Sequence, residues 1–225
     1  LGGDAPESGP RAELSGRILQ LILLLTLLSV APGLLLIMTS FTRFAIVFAM
    51  LRSALGLNQT PPNMVLSSMA LFMTFFVMQP VFEDAWKGGL KPLLDNAITE
   101  EQAVVAMGDP FKAFMFANTR PKDIALFEEI SGDGSEVVMP ETYEEASWRT
   151  LVPAFMILEL RRAFVIGFLI FLPFLIIDLV VAAILMSMGM MMVPPAIVSL
   201  PFKLAFFVIA DGWTLIAGSL VRGYF

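Results

Sequence analysis

Three ionisable side chains stand inside otherwise uncharged stretches of the chain: Asp178, Lys203 and Asp211. A charge at membrane depth is costly, so residues kept there mark pathways, pairs or assembly contacts. Two carboxylates could share a proton as the dyad of an intramembrane aspartyl protease. Such a dyad calls for glycines around one aspartate, as in GxGD. The contexts here are Ile177-Asp178-Leu179 and Ala210-Asp211-Gly212, and Lys203 offers a competing counter-ion. The simpler expectation is that Asp178 and Lys203 neutralise each other, within a subunit or across two, because either alone would be an uncompensated charge. Other chemistry is poorly served. With no Cys and no His, thiol nucleophiles, Cys/His metal sites and disulfides are removed at once. Phosphate-binding loops, dinucleotide fingerprints and serine nucleophile elbows are also missing from the sequence, so no catalytic residue, metal or cofactor is assigned.

A second concentration is one of softness rather than charge. Met186, Met188, Met190, Met191 and Met192 put five of the chain's 15 methionines into seven residues, and Pro194-Pro195 follow at once. Met adapts to irregular gaps and could simply fill a packed hairpin. Five of them ending at a rigid double proline point instead to a defined loop, since proline limits helix continuation.

The elements that must position these residues are apolar. Hydrophobic residues make up 57% of the chain and charged ones 15%, which is outside the range of a soluble domain. Four runs are long enough to span a bilayer, which takes about 20 residues: Ile18–Thr42, Ser53–Phe82, Ala163–Met188 and Ala196–Val221. Prolines 32, 80, 173 and 201 sit in or beside them, which suggests bent helices packed on other protein. A small-solute transporter would show convergent polar groups at broken helices and paired repeats; this chain has kinks but few such groups.

Between the first two runs, the segment Phe41–Gly56 carries only Arg43 and Arg52 as charges. The positive-inside rule reads it as a cytoplasmic loop. The N-terminus and the central insert then fall outside, and the methionine turn returns to the cytoplasmic side. From Glu83 to Arg149 there are 14 acids and 6 bases, a local net of −8; so acidic an insert makes nucleic acid an unsuited partner. Thr99–Gln102 and Thr142–Glu145 have capping-box spacing. Asp109-Pro110 resembles a cap and a first turn, followed by an apolar face of Phe111, Phe114 and Met115. Arg120-Pro121 restarts the pattern with Ile124, Phe127 and Ile130, and Ser131–Ser135 reads as a loop. One feature resists the scheme. Arg161-Arg162 lie on the outer flank of the third run, where basic residues are disfavoured; Glu159 could compensate one of them.

The organisation expected is a polar tail at 1–17 after a removed signal peptide, a first hydrophobic helical pair at 18–82 and an acidic helical extracytoplasmic domain at 83–162. A second hydrophobic pair follows at 163–225, with the methionine loop at 186–195. The fold class is an all-α membrane protein of four kinked hydrophobic helical segments with a helical insert.

Seven blocks, in order, resemble the FliP family of flagellar export-gate proteins. They are Met38-Thr-Ser-Phe-Thr-Arg43, Leu51-Arg-Ser-Ala-Leu-Gly56, Pro61-Pro-Asn63, Leu172-Pro-Phe-Leu-Ile-Ile-Asp-Leu179, Met188–Pro195, Leu200-Pro-Phe-Lys-Leu204 and Asp211-Gly-Trp213. SctR proteins of virulence injectisomes are the related alternative. The resemblance implies a non-enzymatic ring subunit in the bacterial inner membrane and flagellar basal body, with a periplasmic domain. It implies FliQ, FliR, FlhA and FlhB as partners, and unfolded flagellar proteins as cargo. It further implies kinked helices lying largely outside the membrane plane, with Arg161-Arg162 facing protein or the periplasm. Under that reading the methionines form a pore gasket and Pro194 and Pro195 stiffen its loop. Asp178 and Lys203 are then an assembly pair, and Arg43, Arg52, Glu159, Arg161, Arg162 and Asp211 are further charged assembly candidates.

Overall fold

The computed structural model describes residues 17–18, 21–22, 25–26, 29, 32–57, 59–131 and 139–225. Most of the polar tail, much of the first hydrophobic run and residues 132–138, which include most of the segment expected as a loop, lie outside the described residues. The chain divides into two units, Leu1–Leu36 and Ile37–Phe225. In the first, the described residues from 17 to 29 and from 32 to 36 are helical.

In the second unit, every regular element among the described residues is helical. They are α1 (Phe41–Ala54), α2 (Asn63–Ala85), a π-helical turn (Trp86–Leu90), α3 (Lys91–Leu94), α4 (Glu100–Asn118), α5 (Pro121–Ser131), α6 (Trp148–Ser187), α7 (Pro195–Ile209) and α8 (Gly212–Arg222). The chain is an all-α membrane protein. Residues 63–94 and α6 are long and apolar enough to cross a membrane, and the bent pair α7–α8 adds a third candidate. At 1.5 Å per residue the 40 residues of α6 reach about 60 Å, twice the hydrocarbon thickness of about 30 Å, so α6 extends well beyond any bilayer it crosses.

Phe41–Gly56 is not a loop. Its first 14 residues form α1, with Phe44, Val47, Phe48 and Leu51 fully buried. Apolar residues at i, i+3, i+4 and i+7 make one face of a helix, and that face packs on Leu66, Ala70 and Val77 of α2 and Ala163 of α6. α1 and α6 run in the same direction, since Arg43 meets Glu159 and Met50, further along α1, meets Gly167, further along α6. Gly167 lets them approach closely: a Cβ there would lie 2.3 Å from Met50 Sδ. α1 closes with Gly56 at φ 77°, the Leu57 N–H donating to the Arg52 carbonyl and the Gly56 N–H to that of Ser53.

The insert is built onto α6 rather than set apart from it. Met115 and Ile124 pack with Leu151, Ala154 and Phe155. Helices run unbroken through 82–83 and through 162–163. The Thr99–Gln102 capping box is present with both reciprocal bonds. Asp109-Pro110 does not start a helix: α4 runs through it from Glu100 to Asn118, and Pro110 merely leaves one carbonyl without its usual donor. Thr142–Glu145 is no capping box either. The Glu145 carboxylate accepts from the Glu141 N–H, and α6 begins later, capped by Ser147, which accepts from the Arg149 N–H. Ile124 is buried as expected, whereas Ile130 is exposed.

Candidate functional site

The charged residues gather at two levels of the helical body. At the first, α1 and α6 bring Arg43 and Glu159 together, both essentially inaccessible to solvent. Arg43 Nε donates to Glu159 Oε2 at 2.8 Å, and Arg43 Nη2 pairs with Oε1, a two-pronged contact that suits guanidinium and carboxylate. Tyr224 completes the cluster. Its hydroxyl donates to Glu159 Oε2 at 2.5 Å, and the Arg43 guanidinium lies 3.7 Å from its ring centroid. Burial first, and the Glu159 carboxylate second, hold the Tyr224 phenol well above its ordinary pKa, so it stays a proton donor.

This bond corrects one expectation. The positive-inside reading sets Arg43 on the cytoplasmic side and Glu159 on the outer side, yet directly bonded groups share one depth. Arg162 Nη1 approaches Glu159 Oε1 only to 3.6 Å, and Arg161 is exposed.

At the second level, α6 and α7 bring Asp178 and Lys203 to 2.6 Å. Lys203 is nearly buried, and its Nζ also donates to the Ala54 carbonyl at 3.2 Å, at the C-terminal end of α1. A cation is favourable there because the last carbonyls of a helix carry partial negative charge. The Ser199 hydroxyl donates to Asp178 Oδ1 at 2.5 Å. Three helices are thus joined by one pair of charges. Arg52 lies at this end too, its Nη1 donating to Asn63 Oδ1 at 2.6 Å and the Pro61 carbonyl at 3.2 Å.

Asp211 stands apart from both levels. It occupies the left-handed region at φ 48° where α7 and α8 meet at 60°, and it is exposed. Asp tolerates that conformation better than most residues. The Thr214 hydroxyl donates to its Oδ1 at 3.0 Å. Gly212 beside it allows Phe207 to close in, since a Cβ would lie 2.2 Å from that ring. Asp178 and Asp211 are therefore not held as a dyad.

The methionines cap the hairpin between α6 and α7. α6 ends at Gly189, φ 75°, with the Met190 N–H donating to the Leu185 carbonyl and the Gly189 N–H to that of Met186. Pro194 is the N-cap of α7 and Pro195 its first residue. All five methionines are exposed, Met192 at 98%. They fill no gap within the described part of this chain.

Tyr224 and Ser199 are the members that sequence reasoning missed. Each lies more than twenty residues from the carboxylate it contacts, with no local pattern to reveal it. Among the described residues no group of three or more acidic, His or Cys side chains could hold a metal ion.

The FliP family profile matches residues 24–220. The flagellar biosynthetic protein FliP of Agrobacterium fabrum is 58% identical over 201 residues, 89% of this chain and 81% of that protein. Its namesake in Rhizobium meliloti is 57% identical with the same coverage. That of Bacillus subtilis is 50% identical over 205 residues, 91% of both chains. At this coverage and identity the chain belongs to the FliP family, whose members are non-enzymatic components of flagellar biosynthesis and export.

Proposed function

We propose that the chain is a core subunit of the flagellar type III export gate. It assembles as a ring with further copies of itself and with FliQ- and FliR-like proteins, alongside FlhA and FlhB, and unfolded flagellar proteins pass through the channel. Family membership supports the flagellar part; the relatives at 44–58% identity carry the flagellar name, which disfavours the SctR alternative. The observation that carries the pore reading is the methionine loop: five exposed, uncharged, unbranched side chains on a hairpin held by a glycine cap and a double proline. Repeated around a ring, they would form a gasket that closes by apolar contact and excludes ions by dewetting, yet yields to varied passing chains.

The location proposed is the inner membrane. The level containing Arg52, Asp178, Lys203 and the methionine loop faces the cytoplasmic side, and the acidic insert and the Arg43–Glu159 level face the periplasm. Both charge levels serve assembly by fixing helix register. The functional test is export: a strain lacking its FliP and supplied with this chain should again release hook and filament proteins into the medium. Full release without the chain would end the proposal.

A further inference from the structure

We infer that the methionine loop is a site of reversible oxidation: hydrogen peroxide converts Met191 and Met192 to the sulfoxide, and the oxidised loop no longer seals. The loss of the seal rests on the pore reading above; the oxidation itself does not. Five thioethers stand at positions 186, 188, 190, 191 and 192. All are exposed, Met191 at 82% and Met192 at 98%. That exposure is built into a defined turn. Gly189 at φ 75° closes α6, the Met190 N–H donates to the Leu185 carbonyl, and Pro195 opens α7. Elsewhere the helical body shields methionines: Met78 and Met115 are fully buried, and Met50 lies against Gly167. The chain has no cysteine, so no thiol of its own competes for the oxidant.

The step balances with peroxide alone. A sulfur lone pair attacks one peroxide oxygen, the S–O bond forms as the O–O bond breaks, and water leaves with both peroxide protons. Sulfur is oxidised by two electrons and the peroxide is reduced by two. A flexible apolar side chain thereby becomes a polar one that accepts hydrogen bonds. Such a group resists burial without a donor. The loop supplies few. Among the side chains from 186 to 195 only Ser187 carries a donor, and its hydroxyl already donates to the Ile184 carbonyl at 2.7 Å. Pro194 and Pro195 have no N–H to offer. Water must therefore satisfy the sulfoxides, and a constriction that closes by dewetting is wetted. Sulfoxide reductases return the thioether, which makes the change reversible.

The test uses inside-out membrane vesicles from cells carrying the assembled gate, so that the cytoplasmic face meets the reagents. Potassium leak is read before and after millimolar hydrogen peroxide, and peptide mass spectrometry locates the added oxygen. Met191 and Met192 should gain oxygen before Met78 and Met115, and leak should rise with that gain. Methionine sulfoxide reductases A and B with a thiol reductant should reverse the rise. Met190→Leu, Met191→Leu and Met192→Leu together keep the loop apolar and remove three of its oxidisable sulfurs. Whatever the resting leak of that variant, peroxide should add little to it. Met64→Leu removes an exposed thioether at the start of α2 and should leave the peroxide-dependent rise unchanged. Oxygen appearing on Met78 and Met115 as early as on the loop overturns the site. A rise that the triple Leu variant shares, or that the reductases fail to reverse, is damage elsewhere and also overturns it. Loop sulfoxides without any added leak overturn the lost seal, and the Met190–Met192 to Ala variant then separates the two readings. If the Ala variant leaks, only this inference falls; if it is ion-tight, the pore reading falls with it.

Discussion

Glu159→Gln is the change that probes the helical body most sharply. It keeps the side chain's shape and removes only its charge, leaving the Arg43 guanidinium 1% exposed without a counter-ion. Breaking one side of a buried ion pair costs about 3–5 kcal/mol. Gln can still accept one hydrogen bond, so the lower end, about 3 kcal/mol, is expected. For a chain of this length each kcal/mol moves the melting midpoint by about 2–4 °C, which gives a fall of about 6–12 °C. Tyr224→Phe removes only the hydroxyl donor to the same carboxylate and should cost about 1.5–3 kcal/mol, the worth of a hydrogen bond to a charged group. Arg43→Met combined with Glu159→Leu removes both charges and should recover much of the loss, because no uncompensated ion remains. Thermal unfolding of the detergent-solubilised chain, followed by far-ultraviolet circular dichroism, reads all three. If Glu159→Gln melts within about 2 °C of the parent, or the double apolar variant is worse than both singles, the pair is not what holds α1 to α6.

The remaining expectations are shorter. Asp178→Lys or Lys203→Asp alone should abolish assembly, and the charge-swapped double variant should recover part of it; recovery will be incomplete because a carboxylate at position 203 would face the Ala54 carbonyl that Lys203 now satisfies. A swap no better than either single change would disprove the direct pair. Replacing Met190, Met191 and Met192 by Ala should leave assembly intact but let small ions leak across the membrane, and an ion-tight triple variant returns the loop to mere packing. The chain has two tyrosines. In the folded state only the half-buried Tyr143 should ionise in alkali, somewhat above its usual range because Glu144 opposes the charge, while Tyr224 ionises only on unfolding. The folded Tyr224 pKa is raised, so its stability contribution is complete below about pH 10 and declines as pH climbs beyond it; two tyrosinates in the folded protein at that pH would contradict the buried hydroxyl. Gly167→Val should cost about 1–3 kcal/mol by overpacking against Met50, and an unchanged melting midpoint would refute that close approach.

Local chemistry is legible in the sequence where it is short-range. The Thr99–Gln102 box needs only four residues, and the apolar character of α6 is plain from composition. Asp109-Pro110 misleads because a cap signature competes with the helix already nucleated ten residues upstream, which proline weakens without ending. Arg43 and Arg52 look like loop charges when charge and polarity are weighed above the i, i+3, i+4, i+7 face of Phe44, Val47, Phe48 and Leu51. That face buries an arginine only because Glu159, 116 residues away, comes to meet it. Such a pairing belongs to tertiary packing, as do the Tyr224 and Ser199 contacts. Asp178 and Lys203 can be suspected as partners because each would be intolerable alone, an energetic argument that needs no local pattern.

The central claim is that this chain works as one of several copies in a membrane-embedded export ring, and the mass of the native assembly tests it most directly. The chain should be captured from its own membranes in mild detergent, and the intact particle weighed and its subunits identified. A single large particle containing several copies of the chain with FliQ- and FliR-like proteins is the predicted result. A stable lone monomer that conducts solute by itself would contradict it.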